Sequence, residues 1–167
     1  MKRVPYYRQI SAIDCGPACL QMVTAYYGKK MSLQNIKSLC ESTRIGVSVR
    51  EMIGCCEKIK LQAVAVNVDM EDLKHMPLPA ILYLKRGHFV VLDKIYRKKN
   101  DDYFRIIDPS RGRVSLQKSF LSEGFLSDNY GVAIALAPME KFERGDFTQN
   151  SLWNTMRKLQ TKLWSIL

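Results

Sequence analysis

The order of its hydrophobic patterns constrains this chain more than any other feature of the sequence. Apolar residues recur at helical spacing from Ala18 to Tyr27, from Leu33 to Cys40 and from Ser48 toward Ile59, where Ser48-Val-Arg-Glu51 is a capping box. Later apolar residues form short runs rich in strand-forming side chains. The predicted strands are 61–68, 80–84, 88–96, 103–107, a short one near 114 and 131–137, with a short helix or loop between 116 and 126. Helices followed by antiparallel strands predict an α+β domain.

The chain of 167 residues divides by composition into three parts. Residues 1–138 are predicted to form one folded domain, and 139–150, which are polar and have no clear period, are predicted to be a linker. Residues 151–167 are predicted to form an amphipathic basic helix with a tryptophan near each end. Such a helix suits a membrane interface, and docking on the domain or on another chain is an equal alternative. We expect the sequence to continue beyond this helix.

The charge and the cysteines exclude some classes of protein. A net charge of +10 suggests an anionic partner, or simply a solvated basic surface. Nucleic acid is not expected, because the basic residues are scattered and no zinc-finger, recognition-helix or RNA-binding signature is present. Five cysteines without a framework spacing predict free thiols in a reducing compartment. No signal peptide or transmembrane run is recognisable, which predicts a cytosolic location.

Cys15 stands where a break in the chain becomes a helix. Asp14-Cys15-Gly16-Pro17 precedes the helical pattern, and a helix N-terminus favours the thiolate form of a cysteine. Gly16 would leave room for a substrate backbone. Cys15 is therefore a candidate nucleophile, although a small buried hydrophobic residue is the simpler alternative. Cys19, four residues later, is expected in the core.

A nucleophilic cysteine needs a base, and the chain has only two histidines. His75 lies in a polar turn and is expected at the surface, whereas His88 begins a strand after a glycine and is the better candidate. A hairpin centred near Lys99 brings the chain back to the level of His88 at about Ser110. Asp108 is two residues short of that point, so it is a candidate to orient the imidazole. The alternative is an aspartate that only starts a turn before a proline.

Attack on an amide also needs donors for the developing oxyanion. The backbone N–H of Cys15 and the side-chain amide of Gln9, six residues earlier, are the candidates.

A zinc site is not expected, because the cysteines lack a CxxC pair and the histidines are far apart. No cofactor is predicted for this domain.

These residues resemble a known family. Gln9, Asp14-Cys15-Gly16, Gly87-His88-Phe89-Val90-Val91 and Asp108-Pro109 are similar in identity and spacing to the C39 peptidases, over about Val4 to Ala137. C39 peptidases are papain-like cysteine protease domains at the N-terminus of ABC transporters. The resemblance implies that fold, with Cys15 as nucleophile, His88 as general base and acid, Asp108 as its orienter and Gln9 as the oxyanion-hole donor.

The resemblance also implies a substrate and partners. Relatives cut the leader from a precursor peptide after a Gly-Gly motif, and the attached transporter exports the product. Residues 151–167 would then lead to a transmembrane domain, ATP and Mg²⁺ would belong to a separate nucleotide-binding domain, and this domain would lie on the cytoplasmic side of the bacterial cell membrane. A non-proteolytic cargo-docking domain and a freestanding thiol hydrolase are the alternatives.

Overall fold

Among the residues that the structure describes, three helices lie on one side of a β-sheet and share a hydrophobic cluster with it, and a fourth covers the other face. The structure is a computed structural model that describes residues 2–40 and 46–148. Ser32 caps one helix by accepting a hydrogen bond from the N–H of Asn35, and Ser48 and Glu51 form the expected capping box of the next. These caps are the reason that both helices begin where the sequence predicts. The helices are α1 (Cys15–Tyr26), α2 (Leu33–Leu39), α3 (Val49–Ile59) and α4 (Lys118–Phe125).

In the described part of the chain, the main sheet has six antiparallel strands in the order β2-β7-β3-β4-β5-β6. Lys99 and Asn100 join β4 to β5, and both have the positive φ that a two-residue hairpin turn needs. The predicted strands are all present, which confirms the α+β class. In chain order the strands are β1 (Lys29–Met31), β2 (Leu61–Val68), β3 (Ala80–Leu84), β4 (His88–Lys98), β5 (Asp101–Asp108), β6 (Gly112–Gln117), β7 (Gly131–Pro138) and β8 (Gly145–Phe147).

The sheet separates two hydrophobic clusters. On one face, Phe89 and Val91 of β4 pack with α1, which is buried from Cys15 through Thr24. On the other face, Val90 packs with Phe125 of α4. This alternation is the two-residue period of a strand buried on both faces, and each such side chain contributes about 1.5–3 kcal/mol of apolar burial. The strand that begins with His88 is therefore held firmly between helices.

The segment predicted to be a linker is partly folded onto the domain. Phe142 is buried in the core beside α1, and β8 pairs in parallel with β1. The sequence did not predict this contact, because the surrounding residues are polar and a three-residue strand has too few positions to show a period. Residues 139–148 thus belong to the packed structure, while 151–167, with the predicted basic helix, lie outside the described residues.

Two cysteines form a disulfide, and the prediction that all five are free thiols is wrong for this pair. Cys40, which follows α2, is bonded to Cys55 on α3, with their Cα atoms 4.7 Å apart. The packing of two helices brings them together, and the spacing of the cysteines along the chain gives no sign of it. Cys15, Cys19 and Cys56 are free and buried.

The described helices are all too short or too polar to span a bilayer. Among residues 2–40 and 46–148, no helix reaches the length and hydropathy that a crossing requires.

Candidate active site

Cys15 occupies the first turn of α1, where it is only 7% exposed. The helix begins earlier than the apolar pattern alone predicts, because it continues directly from a 3-10 turn at Ala12–Asp14 and Pro17 is tolerated in a first turn. Burial is the largest influence on the thiol and raises its pKa. Hydrogen bonds from His88 and from the backbone of Phe89 and Gly16, together with the charge on His88, outweigh burial and leave the pKa of Cys15 below its usual value.

Gly16 is required for packing rather than for substrate access. A methyl group on its Cα would lie 2.4 Å from Val47 Cγ2, 3.1 Å from Met52 Sδ and 3.3 Å from Phe89 Cδ2. The space that the sequence suggested for a substrate backbone is therefore filled by three side chains from elsewhere in the fold. Their effect is to anchor the turn that carries Cys15 against α3 and β4.

His88 is the first residue of β4 and follows a tight turn. Gly87 adopts φ +71° there and donates its N–H to Leu84 O at 2.9 Å, a conformation that favours glycine. The hydrogen bond with Cys15 is the largest influence on His88 and raises its pKa, and burial opposes it. The hydrogen bond and charge of Asp108 add to the rise, so the pKa of His88 reaches about 8.

Asp108 ends β5 and faces the imidazole. Its Oδ1 lies 2.9 Å from His88 Nε2 and also accepts hydrogen bonds from Ser110 N at 2.8 Å and Ser110 Oγ at 2.6 Å. Burial raises the pKa of Asp108, but the bonds from Ser110 and His88 outweigh it and hold the pKa below its usual value. Asp108 is therefore an anion at neutral pH.

The strand register explains why His88 and Asp108 meet. Val91 pairs with Ile107, so Asp108 is two residues from the position opposite His88, as the hairpin argument predicts. Diagonal neighbours on one face of an antiparallel pair are within reach of long side chains. The register of the two strands shifts between Leu92 and Lys94, which lie nearer to the hairpin turn. This shift does not move Asp108 away from His88.

Gln9 reaches the same region through its backbone. Its N–H donates to Pro109 O at 2.9 Å, which ties the N-terminal segment to the residue after Asp108. The side chain turns back on its own loop, with Nε2 donating to Ser11 O at 3.0 Å, and its Oε1 is buried without a partner among the described residues. Gln9 therefore lies beside Asp108, and one of its two side-chain N–H groups is already in use.

An ion pair between Asp14 and Lys37 lies next to Cys15 in the chain, and sequence reasoning did not predict this pair. Asp14 is 1% exposed, its Oδ2 accepts from Ser11 N at 2.9 Å, and its Oδ1 lies 2.7 Å from Lys37 Nζ on α2. Burial raises the pKa of Asp14, but these contacts outweigh it and lower the pKa. Ser11 thus links Asp14 to Gln9. The S-x-x-D spacing of Ser11 and Asp14 could have predicted their hydrogen bond, whereas no nearby sequence pattern predicts that Lys37 pairs with Asp14.

The other thiols and the second histidine lie apart from this group. Burial raises the pKa of Cys19 far above its usual value and that of Cys56 to about 12, so both stay protonated. His75 is exposed at the end of a short 3-10 turn, as predicted. Among residues 2–40 and 46–148, no group of three or more acidic, histidine or cysteine side chains is arranged to hold a metal ion.

The sequence matches one protein family over most of its length. A model of the Peptidase C39 family covers residues 3–141. The chain belongs to the C39 peptidase family. This membership supports a cysteine peptidase.

Related proteins extend well beyond the length of this chain. The probable microcin-H47 secretion/processing ATP-binding protein of Escherichia coli is 28% identical over 141 residues, which are 84% of this chain and 19% of the relative. The pediocin PA-1 transport/processing ATP-binding protein of Pediococcus acidilactici is 28% identical over 144 residues, covering 83% and 19%. The chain therefore spans about a fifth of the length of these relatives.

Solved structures agree with the fold. A double glycine motif protease from an AMS/PCAT transporter, crystallised with the leader peptide, superimposes with a TM-score of 0.74 at 29% identity over 83% of this chain and 94% of that one. The peptidase domain of Streptococcus ComA has a TM-score of 0.69 at 24% identity, covering 83% and 100%. The fold of this C39 peptidase is the papain-like arrangement that the resemblance implied.

Proposed function

We propose that this chain is the peptidase domain of a peptide exporter and that it cuts a precursor after a Gly-Gly motif. One observation carries the proposal: Cys15 lies close enough to the imidazole of His88 for the two groups to shift each other's pKa, and Nε2 of that imidazole lies 2.9 Å from Oδ1 of Asp108. The similarity to a double glycine motif protease supports the substrate class.

Cys15 is proposed as the nucleophile and His88 as the acid and base. The lowered pKa of Cys15 and the pKa of about 8 for His88 favour a thiolate–imidazolium pair near neutral pH. The thiolate attacks the carbonyl carbon of the scissile bond, and the imidazolium then gives its proton to the departing amine. This leaves a thioester on Cys15. Neutral His88 next takes a proton from water, whose oxygen attacks the thioester and releases the acid and the thiolate.

Asp108 is proposed to orient the ring. Its contact with His88 Nε2 leaves Nδ1 as the ring nitrogen available to the sulfur, and its negative charge stabilises the imidazolium. The two bonds from Ser110 hold the carboxylate in position. A carboxylate anchored in this way keeps the ring from turning during the two proton transfers.

Gln9 and the backbone N–H of Cys15 are proposed as the oxyanion donors. The position of Gln9 beside Pro109 supports this role. Its Nε2 has a second hydrogen that its bond to Ser11 does not use, and we propose that this hydrogen is donated to the oxyanion. We expect the loss of this donor to reduce kcat by about 10²–10³-fold.

The restricted access to Cys15 supports a preference for glycine. Only 7% of the residue is exposed, and we propose that a substrate reaches the sulfur through a narrow opening. Glycine residues fit such an opening, whereas residues with larger side chains are excluded. The specificity then arises from steric exclusion.

The proposed partners follow from the relatives, which are secretion or transport/processing ATP-binding proteins. We propose that a transmembrane domain and a nucleotide-binding domain, with ATP and Mg²⁺, belong to the same protein and that this peptidase needs no cofactor. The domain would lie on the cytoplasmic side of the cell membrane and would contact the membrane surface through 151–167. The basic surface would not serve a nucleic acid.

A cleavage assay tests the proposal. The chain is incubated with a precursor peptide that carries a Gly-Gly site, and the products are identified by mass spectrometry. We expect cleavage after the second glycine, none with Cys15→Ala or His88→Ala, and continued cleavage with Cys56→Ala as the matched thiol control. Cleavage by Cys15→Ala would remove Cys15 from its role. Binding of the peptide without any cleavage by the unaltered chain would favour a cargo-docking domain instead.

A further inference from the structure

A cavity of about 660 Å³ opens beside the candidate active site. His88 and Asp108 line one side of it, so it is continuous with the proposed catalytic groups. The turn between β3 and β4, the turn after β5 and helix α4 form the other walls. Because His88 is proposed to protonate the departing amine, residues of a peptide cleaved there would lie near the mouth of this cavity.

Three cations line the cavity: Lys85, Arg86 and Arg111. Within residues 2–40 and 46–148, none of them has a carboxylate within ion-pair distance. Asp108 is engaged by His88, which leaves Glu123 as the one other acid among the cavity's described lining residues. The cavity therefore carries a positive excess. Several basic side chains elsewhere are paired with acids, namely Lys37, Lys74, Arg105 and Lys118.

The backbone that carries these cations is held in place. Lys85 donates its N–H to Gly124 O of α4 at 3.0 Å, and Arg111 donates its N–H to Asp108 O at 3.2 Å. The tight turn at Gly87 closes the same loop. The backbone that carries the three cations is therefore ordered before a ligand binds, which reduces the conformational entropy lost on binding.

We propose that this cavity binds an acidic stretch of the substrate peptide. The inference rests on the proposed peptidase function and deepens it by naming a preference for Asp or Glu near the cleaved bond. A cavity of this volume is about 9 Å across and admits about three residues of extended chain. Phe120, which is 64% exposed at its edge, offers an apolar contact for the same segment.

The size of the preference follows from exposed ion pairs. One such pair changes affinity by up to about fivefold, and the effect weakens as salt screens it. A glutamate that meets two of the three cations is therefore expected to improve kcat/KM by about five- to tenfold at low ionic strength. A lysine at the same position is expected to reduce it.

The test uses synthetic peptides that contain one Gly-Gly pair. A single glutamate is moved through the three positions on each side of the cleaved bond, and each peptide is compared with its glutamine counterpart at low and at high salt. We expect the ratio of kcat/KM for Glu over Gln to exceed about five on one side of the bond and to fall toward one in high salt.

Variants of the cavity locate the effect. In Lys85→Gln/Arg86→Gln/Arg111→Gln the Glu-over-Gln ratio should fall to about one. The matched control is Lys98→Gln/Lys99→Gln/Lys141→Gln, which loses the same net charge at exposed positions outside the lining of this cavity, and it should keep the unaltered ratio.

The outcomes are distinguishable. Arg86→Glu/Arg111→Glu should reverse the preference toward a lysine peptide. If the unaltered chain cuts Glu and Gln peptides equally at low salt, or if the control triple loses the ratio as the cavity triple does, the inference is overturned and the peptidase proposal stands. If no peptide is cut, the peptidase proposal fails. Fluorescence anisotropy of the same peptides on Cys15→Ala protein then decides the inference, since equal affinities would refute it.

Discussion

Replacing Asp108 with asparagine should narrow the pH range over which the domain is active. Activity is expected to rise as Cys15 loses its proton, below the usual pH for a thiol, and to fall as His88 loses its proton near pH 8. Asparagine keeps the shape of the side chain and can still accept from His88 Nε2, but it removes the negative charge. The pKa of His88 should therefore fall, and that of Cys15 should rise.

The size of the change can be bounded from the structure. The pKa of His88 is raised from 6.5 to about 8, and the difference of about 1.5 pH units corresponds to about 2 kcal/mol. The hydrogen bond with Cys15 is the largest single cause of the rise, and the hydrogen bond and the charge of Asp108 both add to it. We therefore expect Asp108→Asn to move the alkaline limb down by up to about one pH unit and to lower kcat/KM at pH 8 by up to about fivefold.

Two measurements test this prediction. The first is kcat/KM between pH 5 and pH 10, and the second is the rate of alkylation of Cys15 by iodoacetamide over the same range, which does not depend on turnover. Asp101→Asn, at the other end of β5, is the matched control and should leave both profiles unchanged. An alkaline limb that stays in place in Asp108→Asn, or that moves upward, would refute the assigned role of the carboxylate.

Three further predictions concern the surroundings of the nucleophile. Limited iodoacetamide followed by peptide mapping should label Cys15 well before Cys19, because burial keeps the Cys19 thiol protonated, and equal labelling would contradict this. Gly16→Ala should lower the free energy of unfolding by about 1–3 kcal/mol in urea, whereas Gly54→Ala, whose added methyl meets nothing within 4 Å, should not. Asp14→Asn should destabilise by about 1–3 kcal/mol at pH 7. Since folding lowers the pKa of that carboxyl below its usual value of 3.8, this difference should shrink as the pH falls below about 4 and be lost below the lowered pKa, and a difference that does not shrink would count against the ion pair.

The hairpin shows how far sequence reasoning reaches. β4 and β5 are consecutive and joined by a two-residue turn, so counting along them places Asp108 within two residues of the position opposite His88. Local geometry decides such a pair, because the strand period and the turn leave few alternatives. The same holds for the caps at Ser32 and Ser48, whose partners are three residues away.

The contact between Cys15 and His88 was reached only through resemblance and chemical plausibility. Their separation along the chain is bridged by the packing of α1 against β4, where the backbone of Phe89 also meets the sulfur. The spacing of apolar residues in α1 and β4 does not predict which helix packs on which strand. That choice depends on the volumes of side chains such as Val47 and Met52, which fit around Gly16.

By itself the sequence determined the class of fold, the ends of most helices and strands, and the pairing within one hairpin, because these depend on interactions between near neighbours. Only the tertiary structure decided that Cys40 bonds to Cys55, that Lys37 neutralises Asp14, and that three cations surround one cavity beside His88. Each of these depends on segments that meet through the shared burial of apolar surface. Burial is not directional, so no short stretch of sequence specifies its outcome.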